Sequence, residues 1–375
     1  MKIAVLGAGM VGRAMALDLS KDYDVSCFDI SEQNLQLLKQ RNSSIKTVSK
    51  DLKDYNSYPE WLQPFDAVVT AVPGFMGYKC LEAVIKSGKN VADISFFPED
   101  VLQLDQLAKE KNVTVITDIG VAPGMSNLIL GYYNERMKVS NFECYVGGLP
   151  VDPQPPFYYK APFSPIDVIE EYTRPARLQE EGSIVTRPAL TEREIIKFKK
   201  VGKLEAFNTD GLRSLLFTMG HIPDMKEKTL RYPGHLDLII SLQQAGFFKS
   251  EKLNVNGISI TPLELSSHML IDNWKLGEDE QELTVMKVIV EGEENGKKKK
   301  VQYDLLDYYD KDTRTSSMAR TTGYTCTAAL HLIVEERFNN KGVFPPELVG
   351  SDAECFKYVL KYLKKRGVKW EKKEK

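Results

Sequence analysis

KIAVLGAGMVGRAMALDL, residues 2–19, is the stretch that decides the fold. An apolar, β-branched run leads into three glycines and then into a helical pattern. In the spacing G-x-G-x-x-G, Gly7 permits a tight turn, Gly9 lets the backbone approach a pyrophosphate, and Gly12 lets the helix lie close to the strand. The triplet alone is a weak signal, but here it joins a strand to a helix within a βαβ pattern. The stretch therefore predicts a dinucleotide-binding fold.

The same βαβ unit indicates which dinucleotide binds. The helix begins at Met10 and Val11, and its N-terminus offers N–H groups and the positive end of its dipole to the phosphates. The second strand ends at Asp29, about twenty residues further on, where a carboxylate accepts hydrogen bonds from the adenosine ribose and repels a 2′-phosphate. We therefore predict NAD rather than NADP. In the alternative interpretation, the glycines only form a tight turn and Asp29 caps a loop.

Short apolar runs alternate with helical patterns from Lys2 to about Ile119. The runs KIAVLG, DVSCFD, AVVTAV, NVADIS and TVITDI are typical of buried parallel strands, and the segments between them are typical of crossover helices. This alternation predicts an α/β fold with a doubly wound parallel sheet that is covered on both faces. We expect this Rossmann domain to span residues 1–122.

The pattern changes after about Val139. The strand-like runs NFECYVGGL, KLEAF, LTVMKVIVEG and KKVQYDLL alternate with Pro-rich loops, which predicts an α+β domain with a mixed or antiparallel sheet. Asn295-Gly296 between two of these runs is a typical hairpin turn. We expect the second domain to span residues 123–315, and the chain from about 316 to 375 to be mainly helical.

Ligands of a doubly wound sheet bind beyond the carboxyl ends of its strands. The residues expected there are Val72 and Pro73 after the fourth strand, Asp93 and Ser95 at the fifth, and Asp118 at the sixth. We expect Val72, Pro73 and Ser95 to contact the cofactor. Asp93 and Asp118 are candidate catalytic groups, because hydride transfer in such a crevice needs a nearby base. The alternative for either carboxylate is a cap or an ion-pair partner.

Composition excludes several classes of partner. The 375 residues carry 50 Lys and Arg against 52 Asp and Glu, a net charge of -2, so no global field recruits nucleic acid or an anionic membrane. The sequence has no apolar run of membrane-spanning length and no targeting leader, so we expect a cytoplasmic protein. The 5 cysteines and 4 histidines lack metal-ligand spacing, so no metal is expected. The expected partner is a small molecule.

The run DIGVAPGMSN, residues 118–127, introduces a family resemblance. Together with VADIS, GGLP, YYKAPFSP, EEYTRPA, TDGLRSL, EKTLRYPGH and SSMARTTGYT, it resembles the saccharopine dehydrogenase superfamily, and in particular the branch that contains lysine 6-dehydrogenase. The resemblance covers nearly the whole chain. It implies that the C-terminal helices pack on the Rossmann domain, that the second domain binds the substrate, and that subunits pair through its sheet as a homo-oligomer.

The resemblance implies an NAD-dependent oxidation at the carbon that bears the terminal amine of L-lysine. Hydride leaves that carbon for the nicotinamide, water hydrolyses the imine, and the semialdehyde cyclises to piperideine-6-carboxylate. Hydride transfer needs an unprotonated amine, whereas the free lysine amine has a pKa of about 10.4. We therefore expect a desolvated site or a base, and activity that favours alkaline pH. The candidate bases are Asp93, Asp118 and His235.

A lysine-like substrate also implies a site for its α-carboxylate. Arg231 and Arg213 are the candidate clamps, because a guanidinium group binds a carboxylate bidentately. Tyr232 can add a hydroxyl donor, and the Pro-Gly turn before His235 can hold that imidazole at the crevice. Two further candidates come from the YYKAPFSP loop, namely Tyr159 and Lys160. The alternatives are a surface ion pair for the arginines and a carbonyl cap for His235.

Two other functions are compatible with these residues. An enzyme of the same superfamily that acts on saccharopine or carboxynorspermidine would need a second anionic anchor. The candidates for that anchor are Arg174, Arg177, Arg314 and Arg320. A non-catalytic NAD-binding protein would keep the first domain and disrupt the motifs of the second, whereas TLRYPGH and TDGLRSL are both intact.

Overall fold

The computed structural model describes residues 1–163 and 165–375, so Ser164 of the YYKAPFSP motif lies outside the described residues. The chain forms two compact units. The first comprises Met1–Val139, Gly292–Lys299 and Met318–Trp370, and the second comprises Ser140–Glu291, Lys300–Ser317 and Glu371–Lys375. The first unit therefore runs past residue 122, and it takes in most of the C-terminal segment.

The helices and strands have the following bounds. Up to residue 134 they are β1 (Lys2–Leu6), α1 (Met10–Leu19), β2 (Asp24–Asp29), α2 (Glu32–Arg41), β3 (Lys46–Ser49), α3 (Tyr58–Trp61), β4 (Ala67–Thr70), α4 (Gly74–Lys86), β5 (Asn90–Asp93), α5 (Asp105–Glu110), β6 (Thr114–Ile116) and α6 (Met125–Asn134). From residue 138 to 274 they are β7 (Lys138–Pro150), α7 (Pro165–Thr173), β8 (Ala176–Glu180), β9 (Ser183–Arg187), β10 (Glu194–Phe198), β11 (Gly202–Asn208), α8 (Leu215–Thr218), β12 (Asp224–Arg231), α9 (His235–Gln244), β13 (Leu253–Val255), β14 (Ile258–Ile260) and α10 (Pro262–Trp274). The remaining elements are β15 (Glu282–Glu294), β16 (Lys297–Tyr308), α11 (Ser317–Val334), β17 (Gly342–Phe344), α12 (Pro346–Gly350), α13 (Ala353–Lys365) and β18 (Trp370–Glu374).

The first unit is built on a seven-stranded sheet with the order β17-β6-β5-β4-β1-β2-β3. Every neighbouring pair in it is parallel. Since β1 pairs with β2 on one side and β4 on the other, the strand order reverses at β1, and the glycine turn follows β1 at that point. This is the order of a dinucleotide-binding sheet with one extra edge strand. The predicted doubly wound sheet is confirmed.

The central strands are apolar because both faces of the sheet are covered. All four residues of β4 are buried, as are four of the five residues of β1. The edge strand β3 differs, because none of its four residues is buried. The sequence motifs for strands did not include β3 or β17, and both lie at the edges.

The C-terminal helices pack against α1 within the first unit. Asp18 on α1 accepts hydrogen bonds from Arg366 Nε at 2.7 Å, Tyr362 Oη at 2.7 Å and Thr327 Oγ1 at 2.8 Å. Although burial opposes ionisation, Arg366 and these hydrogen bonds hold the pKa of Asp18 below its ordinary value. A buried ion pair therefore joins α1 to the end of α13.

The second unit contains a mixed sheet with the order β10-β11-β12-β7-β15-β16-β18, and β8 and β9 extend it beside β12. The strand β12 is antiparallel to β11 and parallel to β7. Asn295 and Gly296 form the two-residue turn between β15 and β16, with φ of 53° and 77°. Such turns require a positive φ at both central residues, which Asn and Gly adopt readily. The predicted mixed sheet is confirmed.

The two faces of β12 serve different cores. Its side chains alternate between the faces, as in any strand. Leu230 packs on one face with Leu204 of β11 and Leu283 of β15. Arg231 lies on the other face, 5.9 Å from the ring of Phe207, in an aromatic core formed with α7, α9 and α10. Among the described residues, no helix combines the length and apolarity that crossing a membrane requires.

Candidate functional site

Two glycines of the turn after β1 are required by the neighbouring backbone atoms, which leave no space for a Cβ. Gly7 has a φ of +104°, and a Cβ placed on it would lie 2.3 Å from the carbonyl oxygen of Ala71. A Cβ on Gly12 would lie 2.0 Å from the carbonyl oxygen of Gly7. Any side chain at these positions would push β4 or α1 away from β1. The local roles expected for Gly7 and Gly12 therefore have a direct geometric cause.

Gly9 is different, because the chain does not require a glycine there. Its φ of -64° and ψ of -176° suit any residue, and nothing lies within 4 Å of a Cβ placed on it. Gly9 caps the N-terminus of α1 without a side-chain hydrogen bond, and Met10 and Val11 form the first turn. The open space thus faces N–H groups and a positive helix end, which suits a pyrophosphate. The residues present fit a bound dinucleotide.

Asp29 is fixed against the glycine turn. Its Oδ2 accepts a hydrogen bond from Ala8 N at 2.6 Å, and its Oδ1 accepts one from Ser31 N at 2.7 Å. The Arg13 guanidinium points elsewhere, toward Ala8 O at 3.1 Å and Asn34 Oδ1 at 3.4 Å. The carboxylate therefore has a defined position at the end of β2, beside the space above Gly9.

The carboxyl ends of β4, β5 and β6 bring several expected residues together. Pro73 caps the N-terminus of α4, directly after Val72. Asp93 accepts hydrogen bonds from Thr70 Oγ1 at 2.5 Å and from Ser95 N at 3.1 Å. Burial raises the pKa of Asp93 to about 6, and the nearby Asp118 adds a smaller increase. The hydrogen bonds act in the opposite direction and lower the pKa.

Asp93 and Asp118 differ in what they offer to a substrate. Asp93 is 0% exposed, and its carboxylate also accepts from Thr117 Oγ1 at 3.3 Å, so it holds three neighbouring segments together. Asp118 is 3% exposed and has a φ of +51°, a left-handed conformation that is uncommon outside glycine. The geometry suits Asp93 to holding the carboxyl ends of β4, β5 and β6 in place. The uncommon backbone conformation makes Asp118 the stronger candidate for a functional role.

Arg231 lies in the aromatic core of the second unit, where it is 2% exposed. Its Nε donates to Tyr172 Oη at 2.9 Å, and its Nη2 donates to Glu171 Oε2 at 2.6 Å. The guanidinium carbon is 4.2 Å from the centroid of the Tyr159 ring. Arg231 therefore has a carboxylate partner within its own chain, which the expectation of a substrate clamp did not include.

His235 is fully buried beside this arginine, with hydrogen-bond partners on both ring nitrogens. Nδ1 lies 2.7 Å from Phe157 O, and Nε2 lies 2.9 Å from Tyr172 Oη. Burial and the charge of Arg231 lower the pKa of His235 to about 3. Because a carbonyl only accepts and a neutral imidazole has one N–H, Nδ1 donates to Phe157 O and Tyr172 donates to Nε2. This geometry does not present His235 as the expected proton acceptor.

The other expected substrate residues lie in different places. Tyr232 packs on the opposite face of the sheet, and its hydroxyl donates to Pro150 O at 3.0 Å, because side chains alternate along the strand. Lys160 Nζ donates to Asn273 O at 3.1 Å. Neither side chain joins the group that Arg231 forms with Tyr159, Glu171, Tyr172 and His235, which we call the Arg231 cluster. Tyr159 does, and its buried hydroxyl has no hydrogen-bond partner among the described residues. Arg213 is 7% exposed and has a φ of +48°.

Sequence reasoning missed several groups in this region. Glu171 and Tyr172 lie in the quoted EEYTRPA motif, but nothing local indicates that they contact Arg231 some 60 residues away. Glu227 is 5% exposed, and burial with the nearby Glu171 and Asp210 raises its pKa to about 8. The period of two along β12 could have found it, since residues 227, 229 and 231 share a face.

The described residues contain no group of three or more His, Cys, Asp or Glu that could hold a metal ion. All five cysteines are free and buried.

Comparison with known proteins reveals relatives of both units. Residues 3–116 match the saccharopine dehydrogenase NADP binding domain, and residues 120–368 match the saccharopine dehydrogenase C-terminal domain. The alpha-aminoadipic semialdehyde synthase of Arabidopsis thaliana is 25% identical over 61% of this chain and 23% of that protein. The L-glutamate-forming, NADP(+) saccharopine dehydrogenase of Pyricularia oryzae is 24% identical over 67% of this chain and 58% of that protein. The match therefore spans only part of these relatives.

Two solved structures share the fold. The apo saccharopine dehydrogenase (L-Glu forming) of Saccharomyces cerevisiae has a TM-score of 0.81 at 20% identity, covering 100% of this chain and 99% of that one. The homospermidine synthase of Legionella pneumophila, solved with NAD, has a TM-score of 0.70 at 13% identity, covering 100% and 91%. At these identities the structures show a common fold alone. Because the two family models together match residues 3–116 and 120–368, the chain belongs to the saccharopine dehydrogenase family.

Proposed function

We propose that the protein is an NAD-dependent oxidoreductase that removes the terminal amino group of L-lysine, yielding a semialdehyde that cyclises to piperideine-6-carboxylate. NAD, when bound, would accept the hydride from the carbon that bears the amine. The residues of the chain would bind the substrate carboxylate, keep the amine unprotonated and fix the cofactor. Family membership supports the oxidoreductase class, and the placement of the arginines supports the small substrate.

The choice of substrate rests on the partners that four arginine side chains have within the chain. A larger substrate with a second carboxylate would need a second cationic anchor. Three of the four candidates are paired with carboxylates of their own chain, and the fourth donates to a backbone carbonyl. The pairs are Arg174 with Glu170, Arg177 with Asp210 at 2.9 Å, Arg314 with Asp279, and Arg320 with Arg366 O at 3.1 Å. This favours a substrate with a single carboxylate.

For that single carboxylate we propose Arg213 as the anchor. Arg231 is balanced by the Glu171 carboxylate of its own chain. Arg213 is 7% exposed and has a φ of +48°, an uncommon conformation for an arginine. Arg231 would then support the site through Tyr159 and Tyr172.

We propose NAD rather than NADP because of Asp29. Two backbone N–H groups hold its oxygens beside the glycine turn, where the ribose of a bound dinucleotide is expected. A 2′-phosphate would meet this fixed negative charge at close range, which is strongly unfavourable away from bulk water. The names of the matching family domain and of the Pyricularia relative contain NADP. The preference of this protein for NAD or NADP therefore needs a direct test.

The carboxyl ends of β5 and β6 supply the candidate groups that would accept the proton of the amine. With a pKa of about 6, Asp93 is ionised at neutral and alkaline pH. Its full burial suits it to orienting Thr70 and Ser95, and we propose Asp118 as the group that meets the amine. Because the free amine has a pKa of about 10.4, turnover should rise toward alkaline pH. We further propose a homo-oligomer, which light scattering would test.

The second candidate is a saccharopine dehydrogenase, and the observation that favours it is the name of the Pyricularia relative and of the Saccharomyces structure. The deciding assay measures reduced cofactor with NAD or NADP against L-lysine, saccharopine, ornithine and carboxynorspermidine, at about pH 10, where much of the amine is unprotonated. Turnover of L-lysine with NAD is the expected result. Turnover of saccharopine or carboxynorspermidine without lysine would transfer the protein to the second candidate.

A further inference from the structure

The second unit carries a concentration of exposed apolar side chains on and around the hairpin β13–β14. Residues 247–269 contain six large apolar side chains that are between 48% and 68% exposed. They are Phe247, Leu253, Val255, Ile258, Leu265 and Met269. Single exposed apolar residues are common on protein surfaces, whereas several of them grouped together mark a surface that binds a partner.

The apolar side chains of the hairpin share one face. The two strands pair Leu253 with Ile260 and Val255 with Ile258. Because side chains alternate along a strand, these four lie on one face, whereas Asn254 lies on the other. The hairpin is thus apolar on one face and polar on the other. This is the pattern of a strand pair that is covered on one side.

The hairpin projects from the second unit. Its strands form a two-stranded sheet of their own. Every strand residue is exposed except Ile260, which is partly buried. A lone two-stranded hairpin is at best marginally stable in water, and packing of an apolar face is what stabilises it. The pattern therefore indicates that another surface packs on the apolar face.

The helix α10 continues this exposed region. The side chain of Thr261 caps α10 directly after β14, so hairpin and helix are joined without a linker. Leu265 and Met269 are four residues apart, on the same side of the helix, and both are exposed. We call the apolar face of β13–β14 and this outer side of α10 the hairpin surface. Trp274 of the same helix is fully buried, with its ring 5.7 Å from that of Tyr159. A partner on the hairpin surface would therefore stabilise a helix that packs on the Arg231 cluster.

The charges near the hairpin surface favour a second copy of the chain as that partner. Two basic and two acidic side chains, all exposed, flank the hairpin in sequence, namely Lys249, Glu251, Lys252 and Glu264. A two-fold contact brings the same surface of two copies together, so the surface must be complementary to itself. Equal numbers of both signs meet this condition, because a lysine of one copy can face a glutamate of the other. An anionic membrane would instead select an excess of basic residues.

The size of the hairpin surface is also consistent with a dimer contact. A specific interface buries at least about 500 Å² on each partner. Six large apolar side chains that are each about half exposed, together with the backbone of a projecting hairpin, reach this order. Because that value lies near the lower limit for a specific interface, we expect a dissociation constant in the micromolar range.

We propose that the hairpin surface binds the hairpin surface of a second copy of this chain in a two-fold contact. The inference rests on the homo-oligomer proposed above, for which it names the surface, and it does not depend on the reaction. The contact differs from pairing through the large mixed sheet, which the family resemblance implies.

The test follows the mass of the full chain by light scattering and sedimentation from about 1 µM to about 100 µM. The native protein should assemble as its concentration rises. Ile258→Glu places carboxylates of both copies in the apolar contact, and should weaken assembly by roughly a hundredfold. Because Ile258 is 68% exposed, the variant should fold like the native protein, which circular dichroism would check.

Two variants are matched controls. Ser259→Glu adds the same charge to the next residue of β14, on the polar face of the hairpin. Ile184→Glu replaces an equally apolar, exposed side chain of β9. Both should assemble like the native protein, because neither side chain belongs to the hairpin surface.

The outcomes separate the inference from the other proposals. A native protein that stays monomeric at all concentrations would overturn both the contact and the homo-oligomer. Assembly that is unchanged in Ile258→Glu would overturn the hairpin contact alone, and would favour pairing through the mixed sheet. A monomer that binds phosphatidylglycerol vesicles, with binding lost in Ile258→Glu, would overturn the proposal in favour of a membrane surface. The measurements contain neither L-lysine nor cofactor, so a failure of the proposed reaction would not affect them.

Discussion

The glycine turn after β1 and the Arg231 cluster are both short sequence motifs, but they behave differently in the structure. In the turn, the positions of Gly7 and Gly12 are explained by atoms of β1, α1 and β4 that directly surround them. In the cluster, the partners of Arg231 come from residues 59 and 60 positions away in the chain. The first motif acts through its backbone, and the second acts through side chains that other segments select.

This difference has a physical origin. Backbone N–H groups and a helix dipole are present whatever the remainder of the chain does, so a glycine pattern is enough to define their use. A guanidinium group binds any carboxylate that is near it, whether from a substrate or from the protein. Only the fold decides that Glu171 lies beside Arg231. Four measurements would sharpen or break this contrast.

The largest effect is expected from Arg231→Ala. Removing the guanidinium leaves the Glu171 carboxylate without its ion-pair partner, which should cost about 3–5 kcal/mol of unfolding free energy. A double variant, Arg231→Met with Glu171→Gln, should recover most of this loss because no uncompensated charge is left. Thermal and urea unfolding would measure both. If Arg231→Ala kept its stability and only KM rose, Arg231 would be the substrate clamp after all.

The next effect is a contrast within the glycine turn. Gly12→Ala forces a Cβ to 2.0 Å from the carbonyl oxygen of Gly7, and should cost about 3 kcal/mol. Gly9→Ala meets nothing within 4 Å, so its unfolding midpoint should stay unchanged while NAD affinity falls by roughly tenfold to hundredfold from overpacking against the ligand. Calorimetry and unfolding measure the two quantities separately. Equal NAD affinity in Gly9→Ala would contradict the dinucleotide site.

A smaller effect is expected at the end of β2. Asp29→Ser removes a charged acceptor of ribose hydrogen bonds, worth about 1.5–3 kcal/mol, and should weaken NAD by roughly tenfold to hundredfold while NADP gains. Asp24→Ser, at the exposed start of the same strand, is the control and should leave both affinities unchanged. Fluorescence titration with the reduced cofactors would report the ratio. A native preference for NADP would reverse the choice of cofactor.

The smallest effect concerns the pH dependence that His235 adds to stability. Its pKa is lowered to about 3 by burial and Arg231, so the folded state excludes a proton that the unfolded state binds below its ordinary value of 6.5. Stability should therefore begin to fall as pH drops below 6.5, by up to about 1.4 kcal/mol over the first pH unit. His235→Gln should lose this contribution, whereas His221→Gln, at an exposed site, should not. Urea unfolding at several acidic pH values would compare the variants.

A large part of the fold was predictable from sequence, and the exceptions share a cause. The central strands were found because burial on both faces makes them continuously apolar. The edge strands β3 and β17 were missed, because β3 buries none of its residues and β17 has only three. For the candidate cofactor site, the sequence predicted Asp29 and the glycines from their positions. The pairing of Glu171 with Arg231 carried no local pattern.

The sequence by itself determined that a dinucleotide fold opens the chain and that a mixed sheet follows, since periodicity and glycine spacing depend on local backbone geometry. The tertiary structure alone decided the state of the polar side chains. It neutralised Arg231 with an internal carboxylate, enclosed His235 between a tyrosine and a carbonyl, and buried Glu227 near Glu171 and Asp210. Charge and protonation depend on burial and on neighbours brought from distant segments, and a linear pattern does not contain either.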